Sequence, residues 1–339
     1  MKTLKKYPNS PSLLTQKSSM GFGTSRIASV QTALSRKEGM ALLSLAYDLG
    51  LRYFDTADIY GQGDAERLLG TFIQDKREEV FIASKAGFSW DSGLKLKLLR
   101  KVKPLLRLGI KYAPQSGSYV KKQRNTSGPA ALIKQNFDPV YLEEALARSL
   151  DRLQTDYLDA FFLHEPAKVI TDPEVYECLE SLKARGLVRH IGLCINDLES
   201  WDFPLPSCID LVQTRINPLV GRDVRAFLKK QKESSSARFR LIAHASYAPM
   251  ALAKKAIHGP LFKDEIVEIF GKIPSPARLL LAYSLSFPHK PLCLSGTTKL
   301  THLRENISAS QRLPKLGLEE QVQLENIFKY HHQALSIAC

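Results

Sequence analysis

FDTADIYGQGDAERLLG (Phe54–Gly70) carries an apolar segment into Asp55 and then, five residues on, into Tyr60 at the head of a glycine-containing turn. Two further apolar runs end in the same manner: VFIASK (Val80–Lys85) delivers a lysine and YLDAFFLH (Tyr157–His164) a histidine. A strand-like segment that presents a titratable side chain at its carboxyl end is how parallel α/β folds place ligands and chemistry. Taken singly, the aspartate reads as a turn residue, the lysine as a solvated charge and the histidine as a satisfied structural group, because ordinary ion pairs produce the same patterns. Asp55, Tyr60, Lys85 and His164 taken together fit one chemistry, in which a proton reaches a carbonyl oxygen while a hydride reaches its carbon.

Outward from these runs, short apolar segments alternate with helical stretches, the pattern of a parallel sheet built from βα units. Ser35 with Glu38 forms a capping box ahead of Leu42, Ala46 and Leu49, and Gly50 supplies the stop. Asp138–Pro139 opens a helix with Leu142, Leu146, Leu150 and Leu153 facing inward, and Asp172–Pro173 repeats the device before Val175, Leu179 and Leu182. Strands are expected at Gly21–Thr24, Arg52–Asp55, Val80–Ser84, Tyr157–Leu163, His190–Leu193, Ile209–Gln213, Arg240–Ala243 and Leu292–Ser295. Eight strands is the count of a (β/α)₈ TIM barrel.

The 339 residues exceed the about 250 that such a barrel commonly takes as one domain, so insertions and tails make up the excess. Residues 1–339 read as a single domain, since no composition shift or solenoid repeat divides them. The first residues lack an apolar core of signal-peptide length, and no run reaches membrane-span length. A soluble cytoplasmic protein is the expectation. Cys178, Cys194, Cys208, Cys293 and Cys339 are scattered without paired spacing, which predicts reduced thiols and no metal site.

MGFGTS (Met20–Ser25), the Phe54–Gly70 run, IASKAG (Ile82–Gly87), SLDRLQTDYLDAFFLHEP (Ser149–Pro166), LKARGLVRHIGL (Leu182–Leu193), DLVQTRINPL (Asp210–Leu219), SYAPM (Ser246–Met250) and SGTTKLTHLRENISA (Ser295–Ala309) resemble the aldo-keto reductase superfamily. The resemblance implies a (β/α)₈ barrel using NAD(P)H, with Tyr60 as proton donor, Lys85 and Asp55 as its tuning pair, and His164 orienting the substrate carbonyl. A free phenol has a pKa of about 10. An adjacent ammonium stabilises the phenolate and lowers that value, while Asp55 fixes the lysine and keeps it charged. His164 can donate a hydrogen bond to the carbonyl oxygen.

For the cofactor, the resemblance implies Gly23 and Thr24 on the first strand, Gln213 at the nicotinamide carboxamide and Tyr247 stacked on the ring. It places Gly296, Thr297, Lys299 and His302 at the adenosine phosphate, and Glu305 with Asn306 at adenine. NADPH is favoured over NADH. Residues Thr301 to Ala309 read equally as a surface helix with a hydroxyl cap. Cys194 and Ile195 stand where relatives carry serine and asparagine, so one amide contact is lost unless Asn196 supplies it. No glycine-rich dinucleotide fingerprint follows any strand.

Shorter relatives have a single βα unit between the lysine and the histidine. Here residues 90–137 form a long insertion with eleven Lys and Arg against one acid, Asp91, or +10 of the chain's +14. Leaving the barrel after the third strand, it is expected to stand over the mouth as a lid. Leu94, Leu98, Val102 and Leu105 recur at helical spacing, with Pro104 as a kink. Three readings compete for its charge: a solvated lid, a clamp for anionic substrates such as phosphorylated or nucleotide-linked sugars, or a membrane or nucleic-acid surface. No nucleic-acid module accompanies it, so the partner expected is a small carbonyl compound, and nothing calls for more than a monomer. The rivals to a reductase of aldehydes or ketones, sugar derivatives among them, are a nucleotide-binding regulatory subunit and a sugar dehydrogenase using Tyr60 as base.

Overall fold

A computed structural model describes residues 18–27, 34–90, 133–166, 170–199, 201, 203–234, 238–259 and 261–337. Its strands are β1 (Met20–Gly23), β2 (Tyr53–Asp55), β3 (Phe81–Ala86), β4 (Phe88–Trp90), β5 (Ile133–Gln135), β6 (Leu158–His164), β7 (Val188–Ile195), β8 (Leu211–Arg215), β9 (Arg240–His244) and β10 (Leu292–Ser295). Eight of them close a barrel in the order β1, β10, β9, β8, β7, β6, β3, β2, every adjacent pair parallel. Each expected strand is present, with no end shifted by more than two residues.

Side chains of a strand alternate between its two faces, so each barrel strand divides into an inward and an outward set. Tyr53, Phe81, Ala83, Ala160, Phe162, Cys194, Leu211, Ile242, Leu292 and Leu294 form a buried cluster inside the barrel. Their outward neighbours, among them Phe54, Ile82, Phe161, Leu193, Val212 and Leu241, belong to the larger core beneath the helices. Two residues beyond Tyr53, Ala83, Phe162, Leu211 and Ile242 stand Asp55, Lys85, His164, Gln213 and His244. Period-two alternation alone therefore brings these five to the carboxyl-terminal mouth.

The helices begin where their caps dictate. Ser35 accepts from the Glu38 amide at 3.2 Å while Glu38 accepts from the Ser35 amide at 2.7 Å, opening the helix Arg36–Asp48. Gly50, at φ 88°, follows its end. Asp138 caps Pro139–Leu153, and Asp172 caps Pro173–Ala184. Their inward leucines are buried, except Leu150, which is partly buried.

The insertion is rooted at the mouth. Outside the barrel, β4 and β5 pair antiparallel, with Phe88 opposite Gln135 and Trp90 opposite Ile133. The stem is tied down by the Asn136 amide to Gly87 O at 2.9 Å, Gln135 Nε2 to Glu165 O at 2.5 Å and the Tyr141 hydroxyl to Phe88 O at 2.9 Å. Gly87 adopts φ +143°, and a Cβ there would stand 2.4 Å from the Phe137 ring, so a side chain at this hinge has neither the backbone nor the space. The expected helix through Leu94, Leu98, Val102, Pro104 and Leu105 lies outside the described residues. No helix among the described residues is long and apolar enough to cross a membrane.

Candidate active site

Lys85 is fully buried on β3, and its Nζ donates to Asp55 Oδ2 at 2.6 Å and to Thr56 O at 2.8 Å. The same Nζ lies 5.1 Å from the centroid of the Tyr60 ring. Tyr60 reaches this position because its loop is laced to β3: the Thr56 amide donates to Ala83 O at 2.8 Å and the Asp58 amide to Lys85 O at 3.1 Å. Immediately after it, Gly61, Gln62 and Gly63 take φ of 59°, 63° and 87°, a left-handed turn that explains the flanking glycines. The Tyr60 and His164 rings stand 5.9 Å apart and nearly perpendicular, and Phe88 closes on the histidine edge at 5.1 Å. All four expected residues thus share one site.

Burial would strip Lys85 of its proton, but the Asp55 carboxylate overcomes it and holds the ammonium above its ordinary pKa. His164 is pushed well below its usual value by burial, with Lys85 and His244 adding to the effect, and is neutral. The expectation for Tyr60 needs correction. Lys85 does act to lower the phenol's pKa, yet burial raises it more, and the net displacement is upward. The phenol is therefore held protonated, with the ammonium placed to stabilise the phenolate as the proton leaves.

Gly23, Asp55, Tyr60, His164, Glu165, Cys194, Gln213, His244, Tyr247 and Gly296 line one cavity, with Ser25 and Arg26 at its rim. Four expected cofactor contacts, Gly23, Gln213, Tyr247 and Gly296, are among them. Thr24 is fully buried beside it, its amide donating to Asp55 O at 2.8 Å. The cavity fits a nicotinamide nucleotide on two observations. Gln213 Oε1 and Thr24 Oγ1 are buried polar atoms without a partner, a costly arrangement unless a ligand meets them. Gly23 and Gly296 face each other at the mouth, where a Cβ on Gly296 would meet Gly23 O at an ordinary 3.4 Å, so both present bare backbone to the cavity.

The adenosine-end residues lie beyond β10. Thr297 is buried and accepts from the Lys299 amide at 3.2 Å, and Asn306 Nδ2 donates to Ser295 Oγ at 3.2 Å. Glu305 and Asn306 line a groove of about 580 Å³ with Arg278, Arg304 and Arg312, whereas Lys299 and His302 are exposed and outside it. The helix there runs Leu300–Ser310 with Lys299 at its N-cap and no side-chain cap, so the expected hydroxyl cap does not form. Asn196 was the one alternative for the lost amide contact. It lines a separate crevice with Asp197 and Arg215, and Ile195 packs in the outer core. Sequence reading missed His244, Arg26 and Glu165 as lining residues. For His244, the alternation in RLIAH, two positions past Ile242, was the available signal.

The aldo/keto reductase family matches residues 19–234, and the chain belongs to that family of oxidoreductases. It is 29% identical over 328 residues to an uncharacterised oxidoreductase, YqkF, of Bacillus subtilis, covering 87% of this chain and 91% of that protein. To a D-threo-aldose 1-dehydrogenase of a Pseudomonas species it is 31% identical over 179 residues, covering 51% of this chain and 49% of the relative. A solved aldo-keto reductase of Klebsiella pneumoniae in complex with NADPH shares the fold, with TM-score 0.58 at 22% identity over 91% of this chain and 90% of that one.

Proposed function

We propose that this chain reduces an aldehyde or ketone with NADPH, Tyr60 delivering the proton to the carbonyl oxygen. The observation that carries the reading is the convergence of Tyr60, neutral His164 and the Lys85-bound carboxylate of Asp55 on one cavity that also holds the unpartnered Gln213 Oε1. When bound, the reduced nicotinamide supplies the hydride. Neutral His164 donates to the carbonyl oxygen and holds it within reach of the phenol. Lys85, itself fixed by Asp55, stabilises the negative charge left on Tyr60.

The raised Tyr60 pKa holds the phenol protonated at rest, and its pairing with Lys85 serves it as acid in reduction and as base in the reverse oxidation. A role as a nucleotide-binding regulatory subunit would have no use for that pairing. NADPH is preferred to NADH because Lys299 and His302 are free to meet a 2′-phosphate. The basic insertion 90–137 is rooted at the mouth by β4 and β5, and its positive charge steers anionic carbonyl compounds such as phosphorylated sugars toward the site. The name of the aldose dehydrogenase relative supports a sugar-derived substrate.

The test is a fluorescence titration with NADPH and NADH, followed by turnover on a panel of neutral and phosphorylated aldehydes and ketones. NADPH should bind more tightly and be oxidised by at least one carbonyl class. Failure of both nucleotides to bind overturns the reading.

A further inference from the structure

His244 ends β9 on its inward face, and its imidazole opens into the cavity with Nε2 buried and without a hydrogen-bond partner. It lies across from β3, four strands away in either direction around the barrel, so it does not belong to the Lys85–Asp55 pair. Its neighbour on β8 is informative. Gln213 pairs with Ile242 and Arg215 with His244, which places His244 one inward layer above Gln213 on the adjacent strand. The orphaned Gln213 Oε1 is an acceptor. Burial, with Lys85 and Arg215 adding, pushes His244 down to about 3, so the ring is neutral and offers one donor and one acceptor.

An unsatisfied acceptor beside an unsatisfied neutral imidazole is complementary to a primary amide, which has N–H groups for the first and a carbonyl oxygen for the second. It suits a carboxylate less well, because Gln213 Oε1 would face negative charge. Leaving a buried polar atom unmatched costs about 1–3 kcal/mol, a cost an apolar residue at position 244 would avoid. Cys194, the other inward residue on this side, carries a thiol that is a weak partner, and Ile195 and Asn196 point elsewhere.

We propose that His244 is a positioning residue that hydrogen-bonds the carboxamide oxygen of the nicotinamide, acting with Gln213 to set the ring against Tyr247. The inference rests on the NADPH reading above. It is tested by calorimetric titration of the wild type, His244→Phe and His244→Asn with three ligands. These are NADP⁺, its thionicotinamide analogue, whose sulfur is a weaker acceptor, and 2′-phospho-ADP-ribose, which has no nicotinamide.

The wild type should prefer NADP⁺ to the thio analogue by about tenfold, a preference that shrinks to within about twofold in His244→Phe. NADP⁺ affinity should fall about tenfold in that variant and recover in part in His244→Asn. Unchanged binding of 2′-phospho-ADP-ribose would confirm that the variants are folded. The unliganded His244→Phe protein should melt no lower than wild type, because it lacks the orphaned nitrogen. Retention by His244→Phe of both NADP⁺ affinity and the preference overturns the proposal, as does a rise in carbonyl KM alone with NADP⁺ affinity intact. If the wild type binds no NADP⁺, the nucleotide reading itself has failed, a result distinct from either of these.

Discussion

Replacing Lys85 by methionine keeps the length of the side chain and removes its charge, leaving Asp55 only 4% exposed and without its 2.6 Å partner. Breaking a buried pair by removing one member typically costs about 3–5 kcal/mol. Here the cost has a ceiling that depends on pH, because Asp55 can escape its isolation by taking up a proton. At pH 7 that escape costs about 4 kcal/mol, the distance from an ordinary carboxylate pKa near 3.9 at about 1.4 kcal/mol per unit. At pH 5.5 it costs about 2 kcal/mol. The unfolded chain binds fewer protons than the folded variant across this window, so the penalty of Lys85→Met should grow as pH rises. Asp55→Asn should show the opposite slope. Its stranded lysine escapes by losing a proton, at a cost of about 5 kcal/mol at pH 7 and about 2.5 kcal/mol at pH 8.5. The double variant has no stranded charge, and its penalty should fall short of the sum of the singles by about 3 kcal/mol at pH 7. Urea unfolding followed by circular dichroism at pH 5.5, 7 and 8.5 measures all four proteins. Penalties that add within about 0.5 kcal/mol, or that do not change with pH, would refute the description of this contact as a buried ion pair.

Asp58 offers a second titration. Burial, reinforced by Glu66, raises its pKa from 3.8 to about 7, so the folded chain holds a proton that the unfolded chain releases, and stability falls as pH rises from about 4 to 7. The ceiling of about 4 kcal/mol is screened to about 2 kcal/mol at this partly exposed side chain. Asp58→Asn should remove that slope in urea melts, and a slope equal to wild type would show that another group titrates. Replacing residues 91–132 with a short turn between β4 and β5 should raise KM for phosphorylated aldehydes several-fold at low salt and spare neutral ones; equal loss for both would leave the basic segment without a role in substrate choice.

Much of the site was readable before any coordinates because it depends on local signals. The caps at Ser35, Asp138 and Asp172 lie within a few residues of the helices they start, and period-two alternation carries Asp55, Lys85 and His164 to one mouth. What escaped notice depends on distant partners. The β4–β5 stem pairs Phe88 with Gln135 across the whole insertion, which no local pattern encodes. The sign of the Tyr60 shift was misjudged because the lysine could be seen in the sequence, whereas the burial that outweighs it arises from the packing of the assembled barrel. Asn196 looked available in the chain, but the end of β7 turns it into another crevice.

The central claim, that the Tyr60 hydroxyl gives up the proton beside a charged lysine, is tested most directly by Tyr60→Phe in single-turnover reduction with NADPH. The ring and its packing remain, so NADPH affinity should stay within about twofold, while the rate of NADPH oxidation should fall by about 10²–10⁴. An unchanged rate with NADPH bound would contradict the account.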